Sequence, residues 1–512
     1  MHKEMRINQL KTGVVLNYCA QAVHILTGLL YTPIMLRLLG QSEYGLYQLV
    51  SSVVSYLSLL SLGFSTGYVR FYSRYKVNGD QEGIAKLNGM YGVIFSVITV
   101  VCLLCGGIMV AEADLIFGDG LSEGELEKAR ILMAMLVFNL VITFVNSVFS
   151  SHVSAHEKFV FLKAVELLRA LFNPFLALPL LIMGYGSVGM VAVTSILTMT
   201  SLLCNVFYSH KKLHMRFSFR HLEFGLFREM GVFTFYIFIN MVVDQINWSV
   251  DKFLLGRMMG TAAVAVYGVA GQLNTLYQSL SLGISSVFTP RVNRLVFQEQ
   301  DNKKLDQLLS KVGRIQFIVL ALVLSGFVVF GREFIHLWAG GGYDEAYNIA
   351  LLLMGPVTVP LIQNLGIEIQ RAKNKHKARS IAYLFIAVGN IILSIPLIYR
   401  FGATGAAAGT AICLFMGNIV FMNLYYHLNI RLNMALFWRE ISRLLPAIVI
   451  ATLLGLGVMR LRPCVGWIEL IVYICAYTVA YSLLLWHFGM NEAEKDYVRK
   501  PLSKMREIIC GK

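Results

Sequence analysis

Residues 88–111 read NGMYGVIFSVITVVCLLCGGIMVA. The stretch holds no Asp, Glu, Lys, Arg or His. A helix needs about 20 such residues to cross the hydrocarbon core of a bilayer. Its two flanks differ in sign. Before it lie Arg70, Arg74, Lys76 and Lys86, and after it come Glu112, Asp114, Asp119, Glu123, Glu125 and Glu127. Cytoplasmic loops keep Lys and Arg, so this asymmetry predicts a membrane helix leading from the cytoplasm outward.

The rest of the 512-residue chain reads the same way. It is 57% hydrophobic and 14% charged, with a mean hydropathy of +0.64. Soluble chains carry about 25% charged residues. The deficit excludes an ordinary soluble enzyme, a disordered chain and a secreted disulfide scaffold. By the bilayer ruler there are about fourteen apolar segments. They lie near residues 12–38, 43–69, 88–111, 129–151, 163–183, 188–208, 230–256, 262–288, 313–336, 346–370, 380–398, 405–427, 441–460 and 466–487. The expected fold is an all-α integral membrane protein. The alternating loops assigned to the cytoplasm hold 34 of the 44 Lys and Arg, which accounts for most of the net charge of +15. One topological frame therefore predicts a multi-pass protein of the cytoplasmic membrane with both termini cytoplasmic. The run from Arg371 to Arg379 has the look of a nucleic-acid patch. Between two membrane helices it reads instead as an anchor on an anionic leaflet, so no nucleic-acid partner is expected.

Local patterns recur. Leu38-Leu39-Gly40 matches Leu254-Leu255-Gly256, and Gly186-x-x-Gly189 matches Gly402-x-x-Gly405, both 216 residues apart. Ser61-Leu62-Gly63 matches Ser281-Leu282-Gly283 at 220, with Arg74 and Arg294 each eleven residues on. A unit of six helices is even, so both copies enter the membrane in one direction, and the expected axis lies along the membrane normal. The predicted organisation is a six-helix lobe over residues 1–211, a second over 212–430 in pseudo-two-fold repeat, and two further helices with a cytoplasmic tail over 431–512.

Asp251-Lys252-Phe253-Leu254-Leu255-Gly256, followed by Val266-Tyr267-Gly268-Val269-Ala270, resembles the D-R-x-x-L-G … G-x-Y-x-x-A signature of polysaccharide-export flippases. Arg37-Leu38-Leu39-Gly40 with Tyr44-Gly45-Leu46-Tyr47 is similar to their first hairpin. With the helix plan, the whole chain resembles a Wzx-type oligosaccharide flippase of the multidrug/oligosaccharidyl-lipid/polysaccharide exporter superfamily. The resemblance implies a transporter, not an enzyme. Its substrate would be an undecaprenyl-diphosphate-linked oligosaccharide, moved by alternating access for surface-polysaccharide synthesis. Membrane lipids, and polymerase or assembly proteins, would be its other partners, and one two-lobed chain would work as a monomer. Two relatives in the superfamily are the alternatives. A lipid II flippase would carry arginines within the first helix, where this chain has Asn17, Gln21 and His24. A cation-coupled multidrug exporter would often carry a carboxylate there. No GxxxxGK[ST] loop is present, so no nucleotide cofactor is expected.

A diphosphate needs cations, and arginine forks fit its oxygens. Arg70 and Arg74 share a helix face, as do Arg291 and Arg294 at the equivalent place in the repeat; together they are the candidate diphosphate site. Intramembrane polar groups are costly unless paired or facing a cavity. This makes His24, Arg37, Asp244, Asp251, Lys252, Gln363, Asn364 and Glu368 the candidates for cavity lining or ion coupling. Asp244 and Asp251 lie on one face about 10 Å apart, with Asn240 and Asn247 nearby. Pro356 and Pro360 predict a kink before Gln363. Glu166 is expected to pair with Arg169. His152 and His156 lack a third ligand in sequence, so no metal site is expected.

Overall fold

The computed structural model describes residues 9–220, 224–286, 288–296, 302–373, 375, 377–496 and 499. The first eight residues, the tail with Cys510, and the side chains of Asn17 and Asn240 lie outside that set. The described residues are helical throughout, with short connections. In chain order the helices are α1 (Gln9–Leu39), α2 (Gln41–Ser55), α3 (Phe64–Val77), α4 (Gln81–Ala111), α5 (Glu123–Ala155), α6 (Phe159–Ile182), α7 (Gly186–Lys211), α8 (Phe224–Met259), α9 (Thr261–Ser286), α10 (Asn302–Trp338), α11 (Ala346–Ile362), α12 (Asn364–Ala372), α13 (Lys377–Leu414), α14 (Met434–Ser442), α15 (Leu445–Leu461) and α16 (Trp467–Phe488).

Among the described residues, nine helices are long and apolar enough to cross a membrane. The count is ten if α11 and α12, bent by 44°, form one span. Sequence reading counts about fourteen segments, and among the described residues physical causes account for part of the difference. The segment near 43–69 is interrupted: a 3-10 turn over Tyr56–Ser61 and left-handed Leu62 (φ 48°) and Gly63 (φ 74°) separate α2 from α3, so neither is long enough alone. Segments 380–398 and 405–427 merge into one apolar stretch, Arg379–Leu428. They are divided only at Gly402, whose φ of 62° and ψ of −139° break the helix. The α9 helix is long enough, but Gln272, Asn274 and Gln278 dilute its apolar character.

Helix ends follow local chemistry. Asp80 caps α4 by accepting from the Gly83 amide at 2.7 Å. Asn433 caps α14 through the Leu436 amide at 2.9 Å. Ser122 and Glu125 form a reciprocal capping box on α5, satisfying amides that have no partner inside the helix. Hairpin turns use glycine where φ is positive. Gly186 (φ 57°) and Gly402 (φ 62°) keep the 216-residue spacing. The first hairpin does not. Gly40 (φ 76°) breaks α1 from α2, and Gly260 (φ 83°) lies between α8 and α9, whereas Gly256 lies inside α8. The two breaks are 220 residues apart, where the Leu-Leu-Gly match spans 216.

The chain forms two compact units, one of residues 1–268 with 395–406, the other of 269–394 with 407–512. In the first, α8 packs along α2 and α3, and α5 packs against α2, α3, α4 and α7. Gly45, buried within α2, permits the closest approach: an added Cβ would fall on the Thr261 carbonyl. Glycine inside a helix normally costs about 0.5–1 kcal/mol relative to alanine, but overpacking here reverses the sign. Gly45→Ala is expected to destabilise the protein by about 1–3 kcal/mol. Thermal unfolding in detergent reads this directly, and a raised melting temperature would refute the contact.

In the second unit α10 is the axis. Phe330, Leu444, Ala451, Tyr477, Tyr481 and Leu485 form a buried cluster joining it to α15 and α16. The tyrosine hydroxyls are satisfied within it: Tyr477 donates to Ser325 Oγ at 2.7 Å and Tyr481 to the Ile318 carbonyl at 2.8 Å. Arg314, 3% exposed, lies at one end of this packing.

Candidate functional site

The polar residues of α2, α3 and α8 meet along one seam inside the first unit. Partner numbers fall along α8 as they rise from α2 to α3, so the two stretches run antiparallel side by side. At one end, Glu125 Oε1 accepts from Ser42 Oγ at 2.6 Å and from Thr261 Oγ1 at 2.8 Å. The same carboxylate accepts from the Ser122 amide and hydroxyl through Oε2, at 3.0 and 2.9 Å. One side chain thus ties together the starts of α2, α5 and α9. Beside it, Glu43 accepts from the Ser187 amide and hydroxyl at 2.6 and 2.7 Å, and pairs with Lys128 at 2.7 Å.

Further along, Lys252 Nζ donates to Gln48 Oε1 at 3.0 Å, and Gln48 Nε2 donates to Tyr44 Oη at 2.7 Å. Buried Asp251 accepts from Tyr267 Oη at 2.5 Å. Gln245 donates to Ser55 Oγ and Ser249 Oγ. Gly63 meets Ile237. At the far end Arg74 pairs with Glu229 at 3.0 Å, both side chains more than half exposed. Hydrogen bonds line this seam, and Leu49 packs on Gly256 and Ile237 on Gly63 within it.

Arg70 is exposed and lines an open recess of about 720 Å³ with Ser65, Ser73, Ser150, Ser151 and Ser154. These residues come from α3 and α5, with Arg70 and Ser73 at the end of α3 that carries Arg74. Just behind it, Tyr68 Oη donates to Asn88 Oδ1 at 2.5 Å, so it accepts from His152 Nδ1 at 2.8 Å. His156 Nδ1 donates to the His152 carbonyl at 2.9 Å and Nε2 accepts from Tyr72 Oη at 2.8 Å. These partners fix both tautomers and stabilise the wall of the recess. Burial, with nearby Lys76 and Lys158, holds the His156 pKa below its ordinary value. No group of three or more metal-ligating side chains occurs among the described residues.

The remaining predicted residues are distributed as follows. His24 and Arg37 are exposed on α1, and Asp244 is exposed on α8. Arg291 and Arg294 are exposed on a short helix, Thr289–Arg294, in the second unit. Gln363 lies at the α11–α12 bend, buried, donating to Asn423 Oδ1 at 2.9 Å. Asn364 donates to Ser281 Oγ at 2.9 Å, and Ser281 donates to the Leu361 carbonyl at 2.8 Å. The kink after the two prolines is thus satisfied by α9. Glu368 pairs with Arg371 at 2.8 Å. Glu166 pairs with Lys163 at 2.7 Å, where sequence spacing favours Arg169, because Lys163 lies one turn before it on α6.

Sequence reasoning overlooked Glu125 and Arg314. Glu125 carries a legible signal: Ser122-Glu123-Gly124-Glu125 is the S-x-x-E of a capping box. Arg314 has only its position just inside an apolar run.

Residues 10–296 match the sequence profile of a family described as "Polysaccharide biosynthesis protein". The chain is 22% identical to "Uncharacterized membrane protein EpsK" of Bacillus subtilis, over 96% of this chain and 98% of that one. It is 25% identical to "Probable flippase AglR" of Haloferax volcanii, over 49% of this chain and 52% of that one. Among solved structures, "Lipid II flippase MurJ, inward closed conformation" superposes with a TM-score of 0.69 at 15% identity, covering 92% of this chain and 97% of the other. An inward-facing MATE-family multidrug transporter gives 0.63 at 16% identity, covering 78% and 96%. Both likenesses are of fold.

Proposed function

The chain belongs to the polysaccharide biosynthesis protein family, and from that premise we propose that it flips an undecaprenyl-diphosphate-linked oligosaccharide across the bacterial cytoplasmic membrane. The fold class it shares is one of flippases and transporters, not of enzymes. In this reading the chain crosses the bilayer fourteen times with both termini cytoplasmic. Residues 1–211 and 212–430 act as two lobes that alternate access, and 431–512 is an appendage. The α2/α3–α8 seam lies between segments of the two lobes and opens once per cycle.

The observation that carries the reading is the recess around Arg70. It offers one guanidinium and five serines, set among Val69 and Leu162, in an open space. Hydroxyls suit sugar and phosphate oxygens, and the planar fork suits a diphosphate. A drug site would be lined with apolar and aromatic side chains. Arg74 adds a second cation in the first unit, exchanging Glu229 for phosphate, and Arg291 and Arg294 are the cationic candidates of the second. Lys252, Asp244 and Asp251 are the path candidates of the first unit, and Gln363 and Asn364, which hydrogen-bond across the bend, are those of the second.

The test is a leaflet assay in sealed vesicles containing purified protein and a labelled undecaprenyl-diphosphate oligosaccharide. Wild type is expected to remove label from the accessible leaflet. Arg70→Ala is expected to lower the rate by about tenfold or more, the value of one charge-assisted hydrogen bond, while Arg70→Lys retains part of it. Dye export driven by a cation gradient, with no movement of the lipid-linked sugar, would replace this reading with the exporter one.

A further inference from the structure

An apolar groove of about 430 Å³ runs between the two arms of the Arg379–Leu428 stretch, within the second unit. One wall is a stripe at helical spacing: Ile381, Phe385, Gly389 and Leu393. The other carries Ile412 and Met416. From 381 to 393 the stripe extends about 18 Å, over half of a hydrocarbon core. Two features shape it. Gly389 leaves space, and an added Cβ there would only touch Cys413 Sγ at 3.4 Å. Gly417 lets Ile386 pass so closely that a Cβ would overlap it. The second wall turns as a π-helix over Phe415–Phe421, a rare form that recurs at functional sites. The wider turn is anchored where Tyr383 donates to buried Asn418 Oδ1 at 2.8 Å.

The groove's lining is uncharged, and basic residues precede its Ile381 end in the sequence. Two residues before Ile381, the Arg379 guanidinium stacks over Tyr383 at 4.8 Å from the ring centroid. Arg371 lies in the last turn of α12, and Lys373 and Lys375 lie on the loop after it; Glu368 on α12 pairs with Arg371, and Asp306 acts on Lys373. Burial first, and then neighbouring Lys375, lower the Lys373 pKa. Asp306 acts against the shift.

A hydrocarbon slot opening beside cations matches an amphiphile with an anionic head and a long apolar tail. We propose that this groove is a seat for the polyprenyl chain of a polyprenyl diphosphate, with the diphosphate on the Arg379 rim. The inference rests on the flippase reading for its choice of lipid. It adds a lipid-facing site separate from the Arg70 recess.

The test uses the full chain in vesicles with undecaprenyl diphosphate bearing a diazirine in its chain, without sugar. Adducts are expected on Phe385, Leu393 and Met416. An excess of unlabelled undecaprenyl diphosphate should compete them away, and an equal amount of phosphatidylglycerol should not. Gly389→Phe fills the slot and is expected to reduce these adducts about tenfold. Ile412→Trp narrows it from the lipid-facing side and gives the same result if Gly389→Phe fails to fold. Leu454→Phe, on an exposed face of α15, should leave them unchanged. Equal competition by phosphatidylglycerol would overturn the proposal and make the groove a bilayer-lipid seat. So would adducts that persist in both filled variants. Because the readout is binding, it stands apart from flipping: specific adducts without sugar-lipid movement would sink the flippase reading and keep the seat. Wild-type flipping together with adducts that persist in both filled variants would do the reverse.

Discussion

Arg314→Ala is expected to destabilise the protein by about 3–5 kcal/mol, the cost of leaving a buried charge without its partner. Arg314 Nε and Nη2 hold both oxygens of Glu494 at 2.6 and 2.8 Å. Nη1 donates to the Glu440 carbonyl at 2.6 Å and Nη2 to the Gly489 carbonyl at 2.9 Å. Arg314 and Glu494 are 3% and 5% exposed in their side chains. One guanidinium therefore fastens α14, the end of α16 and the segment after it to α10. Removing it strands a carboxylate and two carbonyls together. Replacing both charges, as Arg314→Met with Glu494→Met, removes the uncompensated charge. About half the loss should then return, since the two carbonyls still cost about 1–3 kcal/mol each. Thermal unfolding in detergent, with protease susceptibility of the connections after residue 430, measures both variants. A single variant within about 1 kcal/mol of wild type would show that the pair carries no stability.

Oxidised Ser42→Cys/Thr261→Cys protein is expected to stop flipping. The two hydroxyls are 3.2 Å apart, close enough for a disulfide with little backbone movement. If the seam between α2 and the start of α9 opens in every cycle, a covalent bond across it holds one state. The rate should then fall on the order of a hundredfold or more, because one of the two states is no longer populated. Reductant should restore it. Undiminished flipping with the disulfide formed would mean that the seam stays closed throughout transport. The Glu125 carboxylate that bridges both hydroxyls makes a second probe: Glu125→Gln keeps the capping geometry and weakens the latch.

Much of the fold was legible because its causes are local. Runs such as 88–111 announce themselves by composition, and glycines at Gly40, Gly186 and Gly402 mark turns that need a left-handed or otherwise restricted backbone. The proline pair before Gln363 located the α11–α12 bend. Legibility failed where two remote segments decide the outcome. Leu38-Leu39-Gly40 matched Leu254-Leu255-Gly256 in letters, yet the helix break falls at Gly260 (φ 83°). The Arg74 partner, Glu229, is 155 residues away, and the Arg314 partner, Glu494, is 180 away.

Hydropathy and charge bias are properties of each segment against its solvent. The amino-acid sequence alone therefore determined that this is a helical membrane protein and which polar residues bear an energetic cost. Ion pairs, orphan carbonyls and recesses depend on which helices touch. That is why only the tertiary structure decided that Arg70 lines a serine recess, that Glu125 joins three helix starts, and that Gly389 and Gly417 shape an apolar slot beside a basic rim.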